Sequence, residues 1–119
     1  MIGIRGATTI ETDTEEEIVT NTKELLEEII KANNLDRDKL TAMFFTCTRD
    51  IASAYPAKAA RQIGFTDIPL MCFQEMHVEG SLKKCIRLCV FYTGEMQKKD
   101  VRHIYLKDAK QLRPDLVHF

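Results

Sequence analysis

The segment from Cys72 to Arg87, CFQEMHVEGSLKKCIR, concentrates side chains that can do chemistry. Its two cysteines, one histidine, two glutamates, two lysines and one arginine could form a metal site, a redox pair or a pocket for an anion. The chain contains no CxxC pair, and its three histidines show no zinc-ligand spacing with the cysteines. We therefore expect no metal, and anion binding becomes the chemistry to explain.

Arginine is the side chain best suited to planar, two-pronged capture of a carboxylate or phosphate. Successive side chains of a strand point to opposite faces, so the predicted strand CIRLCVFYT places four residues on one face: Cys85, Arg87, Cys89 and Phe91. Arg87 thus lies in a row that otherwise looks buried, and a buried guanidinium needs an anionic partner. That partner is either one of the 18 acidic side chains or a ligand.

Other cations are placed where they could join Arg87. Arg5 lies between Gly3 and Ala7 on a strand face with small side chains, which leaves room for a ligand. Further candidates are Lys58 and Arg61 on one face of a short helix, Tyr105 on the last strand and Arg113 at the start of the tail. Each has an ordinary explanation as a solvated group. Several arginines on a chain of net charge −1 nevertheless suggest a small polyanion as ligand.

A covalent mechanism has little support in the sequence. The GxSxG, Walker and dinucleotide-binding motifs are absent. Cys72 and His77 could form a thiol–imidazole pair only if the chain turned sharply between them. If the protein is an enzyme, its chemistry should therefore depend on positioning and charge.

Composition predicts one domain spanning residues 1–119, since 119 residues with 45% hydrophobic content can bury one moderate core. The 17 basic and 18 acidic side chains lack the basic excess that drives non-specific nucleic-acid binding. No apolar run is long enough to span a bilayer, and the N-terminus does not resemble a signal peptide. We expect a cytoplasmic protein whose four cysteines are buried, free and unreactive.

Hydrophobic patterning predicts an α+β fold, a mixed five-stranded β-sheet with helices on one face. A helix is expected from Thr14, which has capping-box spacing with Glu17, and a shorter helix from Pro56 to Gly64; Asp36 could cap a short turn. The strand at 40–48 is continuously apolar and is expected to be covered on both faces. The other predicted strands lie at 2–10, 67–73, 85–93 and 101–106.

Six sequence blocks, in order along essentially the whole chain, together resemble the monofunctional chorismate mutases of the small trimeric class. The blocks are GIRGATT, YPAKAAR, CFQEM, LKKCIR, RHIYL and LRPDL. The resemblance implies a homotrimer that forms a pseudo-α/β-barrel, with active sites in the clefts between subunits. It also implies the Claisen rearrangement of chorismate, a dicarboxylate, to prephenate, on the route to phenylalanine and tyrosine. That reaction is unimolecular and needs no cofactor.

The resemblance implies a role for each matching residue. Arg87 resembles the key cation at the ether oxygen and a substrate carboxylate, while Arg5 and Tyr105 resemble binders of the side-chain carboxylate. Glu75 and Cys72 match the pair that contacts the ring hydroxyl. The remaining matches are Tyr55, Ala57, Lys58 and Arg61 lining the site, Leu70 and Met71 in its wall, and Leu112 and Arg113 in the tail that closes over the ligand.

Three positions depart from the pattern of that class. Tyr55 stands where phenylalanine is expected, Met71 where a small polar residue is expected, and Gly80-Ser81 where two glycines are expected. All three are wall or turn positions, so they bear on affinity more than on reaction type. The short chain beyond Arg113 bears on how the tail orders over the site.

The sequence leaves two other hypotheses about function open. Trimeric imine and enamine deaminases have the same general shape and also bind small carboxylates through an arginine between subunits, but they release ammonia. A non-catalytic sensor would hold chorismate or an aromatic product without converting it.

Overall fold

The computed structural model of the chain describes residues 1–116. Five strands form one sheet in the order β3-β2-β4-β1-β5. They are β1 (Ile2–Thr9), β2 (Leu40–Cys47), β3 (Leu70–Gln74), β4 (Cys85–Tyr92) and β5 (Ile104–Tyr105), and the helices are α1 (Glu15–Ala32) and α2 (Ala57–Gln62). β4 pairs antiparallel with β1 and β2, whereas β5 and β3 pair parallel with β1 and β2, respectively. The predicted mixed α+β sheet is confirmed.

The start of α1 follows from its capping residues. The Thr14 hydroxyl accepts a hydrogen bond from the Glu17 N–H at 3.2 Å, as the capping box predicts. The Glu17 carboxylate, however, accepts from the N–H groups of Glu11 and Thr12, at 3.0 Å each, and not from Thr14. The Thr14 N–H instead donates to the Thr12 carbonyl at 2.9 Å. The Glu17 carboxylate therefore caps backbone N–H groups of the turn before the helix, and not the Thr14 N–H group that the capping box predicts.

The core lies between the sheet and the two helices. The apolar stripe of α1 packs against alternate residues of β1, β2 and β4, and α2 joins the same cluster through two alanines. Its fully buried members include Ile4, Leu25, Leu26, Ile29, Met43, Phe45 and Val90. A Cβ on Gly6 would lie 2.7 Å from Ile29 Cδ1 and 3.1 Å from the Ile104 carbonyl oxygen, so even alanine there would displace the buried Ile29 side chain. Both helices thus cover one face of the sheet, as predicted.

The opposite face of the sheet is open over most of its area. Phe44, Met71 and Phe73 are 37%, 50% and 46% exposed. Phe44 makes edge-to-face ring contacts with Phe73 and Phe91, with centroids 5.7 and 5.2 Å apart. The prediction that β2 is covered on both faces is therefore wrong for the single chain, because the helices cover only one. We call Phe44, Met71, Phe73 and Phe91 the open-face patch.

The C-terminal segment covers one end of the open face. A 3-10 turn at Lys107–Gln111 packs Ala109 against Ala7, Cys85 and Tyr105, all of which are buried. β5 covers only Ile104 and Tyr105, so the last strand is shorter than predicted. The Arg5 N–H donates at 2.9 Å to the side-chain Nδ1 of His103 and therefore does not extend the backbone ladder. Further 3-10 turns lie at Arg37–Lys39, capped by Asp36 as predicted, at Lys98–Asp100 and at Pro114–Leu116. Neither α-helix in the described chain has the length and apolar character needed to cross a bilayer.

Candidate active site

A cleft of about 270 Å³ opens on the uncovered face of the sheet, beside the C-terminal segment. Strands β1 and β4 form its floor, and the chain after β3 and the tail supply its sides. Six of the residues predicted for the site line this cleft: Arg5, Glu75, Arg87, Tyr105, Leu112 and Arg113. Three guanidinium groups therefore converge on one cavity, an arrangement suited to a ligand with more than one negative group.

Strand register explains how these residues meet. Ala7 on β1 is the Cα partner of Arg87 on β4 and of Tyr105 on β5, and Arg5 is the partner of Cys89. Directly paired residues project to the same face of a sheet. The small Ala7 side chain thus separates the Arg87 and Tyr105 side chains across the floor of the cleft.

Arg87 itself is more accessible than the sequence predicted. Its side chain is 46% exposed, whereas Cys85, two positions earlier on the same face, is only 3% exposed. The prediction that Arg87 lies in a buried row is wrong in this chain, since the C-terminal segment packs on Cys85 but leaves 46% of the Arg87 side chain exposed. The guanidinium therefore remains open to a ligand.

The anionic partner of Arg87 is Glu75. Arg87 Nε lies 3.5 Å from Glu75 Oε2, and the Thr46 hydroxyl donates to the same oxygen at 2.5 Å. The Glu75 N–H donates to the Cys47 carbonyl at 2.8 Å, which continues the β2–β3 ladder and fixes the backbone of Glu75 beside the cleft. An internal acid thus partners Arg87, while half of the guanidinium stays accessible.

The tail presents Leu112 and Arg113 to the cleft. Leu112 packs against the cluster formed by Ala7, Cys85, Tyr105 and Ala109. Arg113 donates two hydrogen bonds to Asp115, of 3.1 and 2.8 Å, and these lower the pKa of the Asp115 carboxyl and raise that of the guanidinium. In the single chain, Arg113 therefore holds its fork toward Asp115.

The other seven predicted residues do not line the cleft. They belong to the loop before α2, to α2 itself and to the edge strand β3: Tyr55, Ala57, Lys58, Arg61, Leu70, Met71 and Cys72. Tyr55 is 71% exposed, and Lys58 Nζ forms an ion pair with Glu15 at 2.6 Å. We call these seven residues the second group. The chain therefore carries two separate sets of site residues.

Register also separates Met71 from Cys72. Met71 pairs with Phe44 on the open face, whereas Cys72 pairs with the fully buried Phe45 on the helix side. The Cys72 thiol lies close to the Ala57 N–H and to Arg61. Glu75 and Cys72, matched as a pair by the resemblance, therefore belong to different sets within one chain.

Hydrogen bonds to Asp13 fix the loop that carries Tyr55. The Asp13 carboxylate accepts hydrogen bonds from the N–H groups of Ala52 and Ser53, all at 3.1 Å, and the Ser53 hydroxyl donates to the Asp13 carbonyl at 2.8 Å. These contacts tie the loop before α2 to the loop before α1. The second group is thus held in place although it lies on the surface.

The thiols are poor nucleophiles. Burial raises the pKa of Cys47 to about 12 and that of Cys85 to about 11, and it also raises the pKa values of Cys72 and Cys89. Cys85 is the buried member, while the other three are partly exposed, so the prediction of full burial holds for one of four. All four are free.

His77 lies beside an arginine. His77 Nε2 lies 3.1 Å from Arg49 Nη2, away from Cys72, so the two do not form a thiol–imidazole pair. His118 lies outside the described residues. Among residues 1–116, no three His, Cys, Asp or Glu side chains are grouped in a way that could hold a metal ion.

Five residues that line the cleft were not predicted, and two of these, Phe44 and Thr46, belong to β2. Alternation along β2 places both on one face. Their use in the cleft depends on β2 lying next to β4, where Thr46 is the Cα partner of Arg87. Only the strand order, which the local pattern does not contain, could have identified them.

Comparisons with known proteins agree with this geometry. Residues 1–116 match the family model described as chorismate mutase type I. The chain is 46% identical over 115 residues to chorismate mutases from Bacillus subtilis (strain 168) and from Thermus thermophilus, covering 96% of this chain and 91% and 94% of theirs. A solved chorismate mutase from Clostridium thermocellum superposes with a TM-score of 0.91 at 44% identity, covering 93% of this chain and 99% of that one. The chain therefore belongs to the chorismate mutase type I family, as the resemblance of its sequence predicted.

Proposed function

We propose that this chorismate mutase binds chorismate in the cleft of one subunit and closes the site with the second group of a neighbouring subunit. The observation that carries the proposal is the convergence of Arg5, Arg87 and Arg113 on one cavity, with Glu75 beside them. Chorismate has two carboxylates and a ring hydroxyl. The arginines of the cleft can bind the two carboxylates, and the carboxylate of Glu75 can accept a hydrogen bond from the ring hydroxyl.

The rearrangement needs no proton transfer and no covalent intermediate. One carbon–oxygen bond breaks while one carbon–carbon bond forms, and the ether oxygen gains negative charge in the transition state. To rank with typical enzymes, the site must lower the barrier by at least about 8 kcal/mol. It can do so by holding the compact conformer and by fixing a positive charge at the ether oxygen.

Arg87 is the group we assign to the ether oxygen and to one carboxylate. Its fork is half exposed and is held on one side by Glu75, so it can turn donors toward a ligand without losing its position. We assign Arg5 and Tyr105 to the side-chain carboxylate, and Glu75 to the ring hydroxyl. Leu112 and Arg113 then close over the bound ligand from the tail.

The second group requires a neighbouring subunit. Its members line no part of the cleft in their own chain: Tyr55, Ala57, Lys58, Arg61, Leu70, Met71 and Cys72. We propose that a homotrimer brings this group of one subunit against the cleft of the next and forms the pseudo-α/β-barrel. The open-face patch supports the trimer, because exposed contiguous apolar side chains mark protein interfaces. Tyr55 and Met71, which depart from the pattern of the class, would then tune affinity.

The setting of the enzyme is part of the proposal. Four free thiols fit a reducing compartment, and we place the protein in the cytoplasm. The near-neutral charge gives no support to nucleic-acid binding, and we propose no membrane partner. Residues 1–119 act as one domain.

The direct test is to follow the ultraviolet absorbance of chorismate after adding purified protein, in buffer with EDTA and no added cofactor. We expect rapid, saturable loss with prephenate as the only product. Ammonia release would indicate a deaminase instead. Binding of chorismate without turnover, by protein shown to be folded, would indicate a sensor and would contradict the proposed activity.

A further inference from the structure

Thr46 connects the two charged groups at the centre of the cleft. It is the Cα partner of Arg87 across the β2–β4 pair, so both side chains project to the open face. Its hydroxyl donates to Glu75 Oε2 at 2.5 Å, and the same oxygen lies 3.5 Å from Arg87 Nε. One carboxylate oxygen thus receives both contacts.

The other oxygen of Glu75 is available to a ligand. The hydrogen bond from Thr46 and the nearest approach of Arg87 both fall on Oε2, and within residues 1–116 Oε1 accepts no hydrogen bond. Glu75 lines the cleft, with its side chain 27% exposed. Its backbone is fixed by the Cys47 carbonyl, but a glutamate head group can still rotate about its own side-chain bonds. The Thr46 hydroxyl is the contact that sets its orientation.

The ion pair between Arg87 and Glu75 is longer than the pairs that a guanidinium and a carboxylate can form. Such groups favour two parallel hydrogen bonds of about 2.7–2.9 Å. Here the nearest approach of the two groups, from Arg87 Nε to Glu75 Oε2, is 3.5 Å. The shorter hydrogen bond from Thr46, of 2.5 Å, engages an oxygen that such a two-pronged pairing would also use.

We propose that Thr46 is a positioning residue for this enzyme. Its hydroxyl holds Oε2, leaves Oε1 for the hydroxyl of the ligand, and keeps Glu75 from engaging the fork of Arg87. The inference rests on the proposed function, since it concerns the same cleft. Without the hydroxyl, Glu75 turns to Arg87 and occupies donors that substrate must use.

The test compares Thr46→Val, which keeps the shape of the side chain but removes the hydroxyl, with Thr46→Ser, which keeps the hydroxyl. We expect Thr46→Val to lower kcat/KM by about ten-fold, the equivalent of about 1.4 kcal/mol. The loss should lie mainly in KM, because bound substrate displaces the competing ion pair before the chemical step. Thr46→Ser should stay within about two-fold of wild type, since its hydroxyl can donate the same bond. Unchanged kcat/KM in Thr46→Val, or equal losses in both variants, would overturn the role of the hydroxyl.

A second comparison separates positioning from packing. In a Glu75→Ala background, Thr46→Val should cause no further loss of kcat/KM, because the group it positions is gone. A packing defect would lower kcat/KM by the same factor in both backgrounds and would contradict the proposal.

A readout without activity keeps the inference apart from the proposed function. In a crystal structure of Thr46→Val, we expect both Glu75 oxygens within hydrogen-bonding distance of Arg87. A carboxylate that stays in its present position would overturn the inference even in an enzyme that converts chorismate. Absence of turnover in the wild type would instead refute the proposed function.

Discussion

The guanidinium of Arg87 lies beside the carboxylate of Glu75, with Nε 3.5 Å from Oε2, yet 46% of the Arg87 side chain faces solvent. A cation in this position is held by an internal acid on one side and open on the other. The pair is half exposed, so it contributes little to folding stability. Its main effect is to orient the guanidinium toward the cleft.

Arg87→Lys tests whether a positive charge alone at this position supports chorismate turnover. Lysine keeps the positive charge but cannot donate the same planar fork, so we expect kcat/KM to fall by about 100-fold or more. The measurement is chorismate turnover, with circular dichroism to show that the variant is folded. As a control, Cys47→Ser should leave turnover per folded site unchanged. Near-normal turnover by Arg87→Lys would remove Arg87 from its assigned role.

The division of the site into two groups predicts that inactive variants complement each other. Arg87→Ala damages the cleft, and Arg61→Ala damages the second group. If the two variants are mixed in urea and refolded together, each site draws its groups from different chains, and about a quarter of the sites regain both arginines. Chorismate turnover of the mixture, set against each variant refolded alone, measures the gain.

The matched control for complementation mixes Arg87→Ala with Arg5→Ala. Both residues line the cleft of the same chain, so every cleft in this mixture carries one defect. We expect no regain of turnover. Equal recovery in the two mixtures would contradict the assignment of the groups to different subunits.

The open-face patch predicts that assembly depends on Phe44. Phe44→Asp places a charge among the exposed aromatic side chains, which should prevent burial of the patch. Light scattering after size exclusion should show a species near the 13.7 kDa of one chain and not three times that mass. Lys31→Glu, on the exposed side of α1, changes charge away from the patch and should keep the larger mass.

Glu17 predicts a pH dependence of stability. The Thr12 hydroxyl and the N–H groups of Glu11 and Thr12 donate to its carboxylate and lower its pKa below 4.5. Because the folded-state pKa is the lower one, the unfolded chain binds more protons as pH falls below 4.5. The stabilisation is therefore present above that pH and is lost as pH falls through the folded-state pKa.

The corresponding experiment compares melting temperatures of wild type and Glu17→Gln at fixed protein concentration. The variant should melt at a lower temperature at pH 7, and the gap should shrink in acid. Glu16→Gln removes a neighbouring charge from the same turn and serves as the control. A gap that stays constant from pH 7 to pH 3 would contradict the assigned cause.

Local sequence signals account for the elements of the fold. The periodicity of Leu25, Leu26 and Ile29, with a threonine cap, is sufficient to define α1. Pro56 and Gly64, which adopts a φ of 104°, bracket α2 for reasons internal to the peptide. These features depend on neighbours within a few positions, and they agree with the structure.

The errors concern features that depend on distant parts of the chain. Alternation correctly grouped Arg87 with Cys85 on one face, but it does not say which stretch of that face is covered. Thr46 was missed because its role depends on β4 being its neighbour. Glu75 and Cys72 are close in sequence, yet β3 ends between them and the cleft takes only Glu75.

The high pKa values of the thiols also bear on how the protein withstands oxidants. With a pKa of about 12 for Cys47 and about 11 for Cys85, both thiols are almost entirely protonated at pH 7. Peroxides and disulfide reagents attack the ionised form, so these thiols react slowly. Cys47 and Cys85 should therefore remain free thiols during storage in air without a reducing agent.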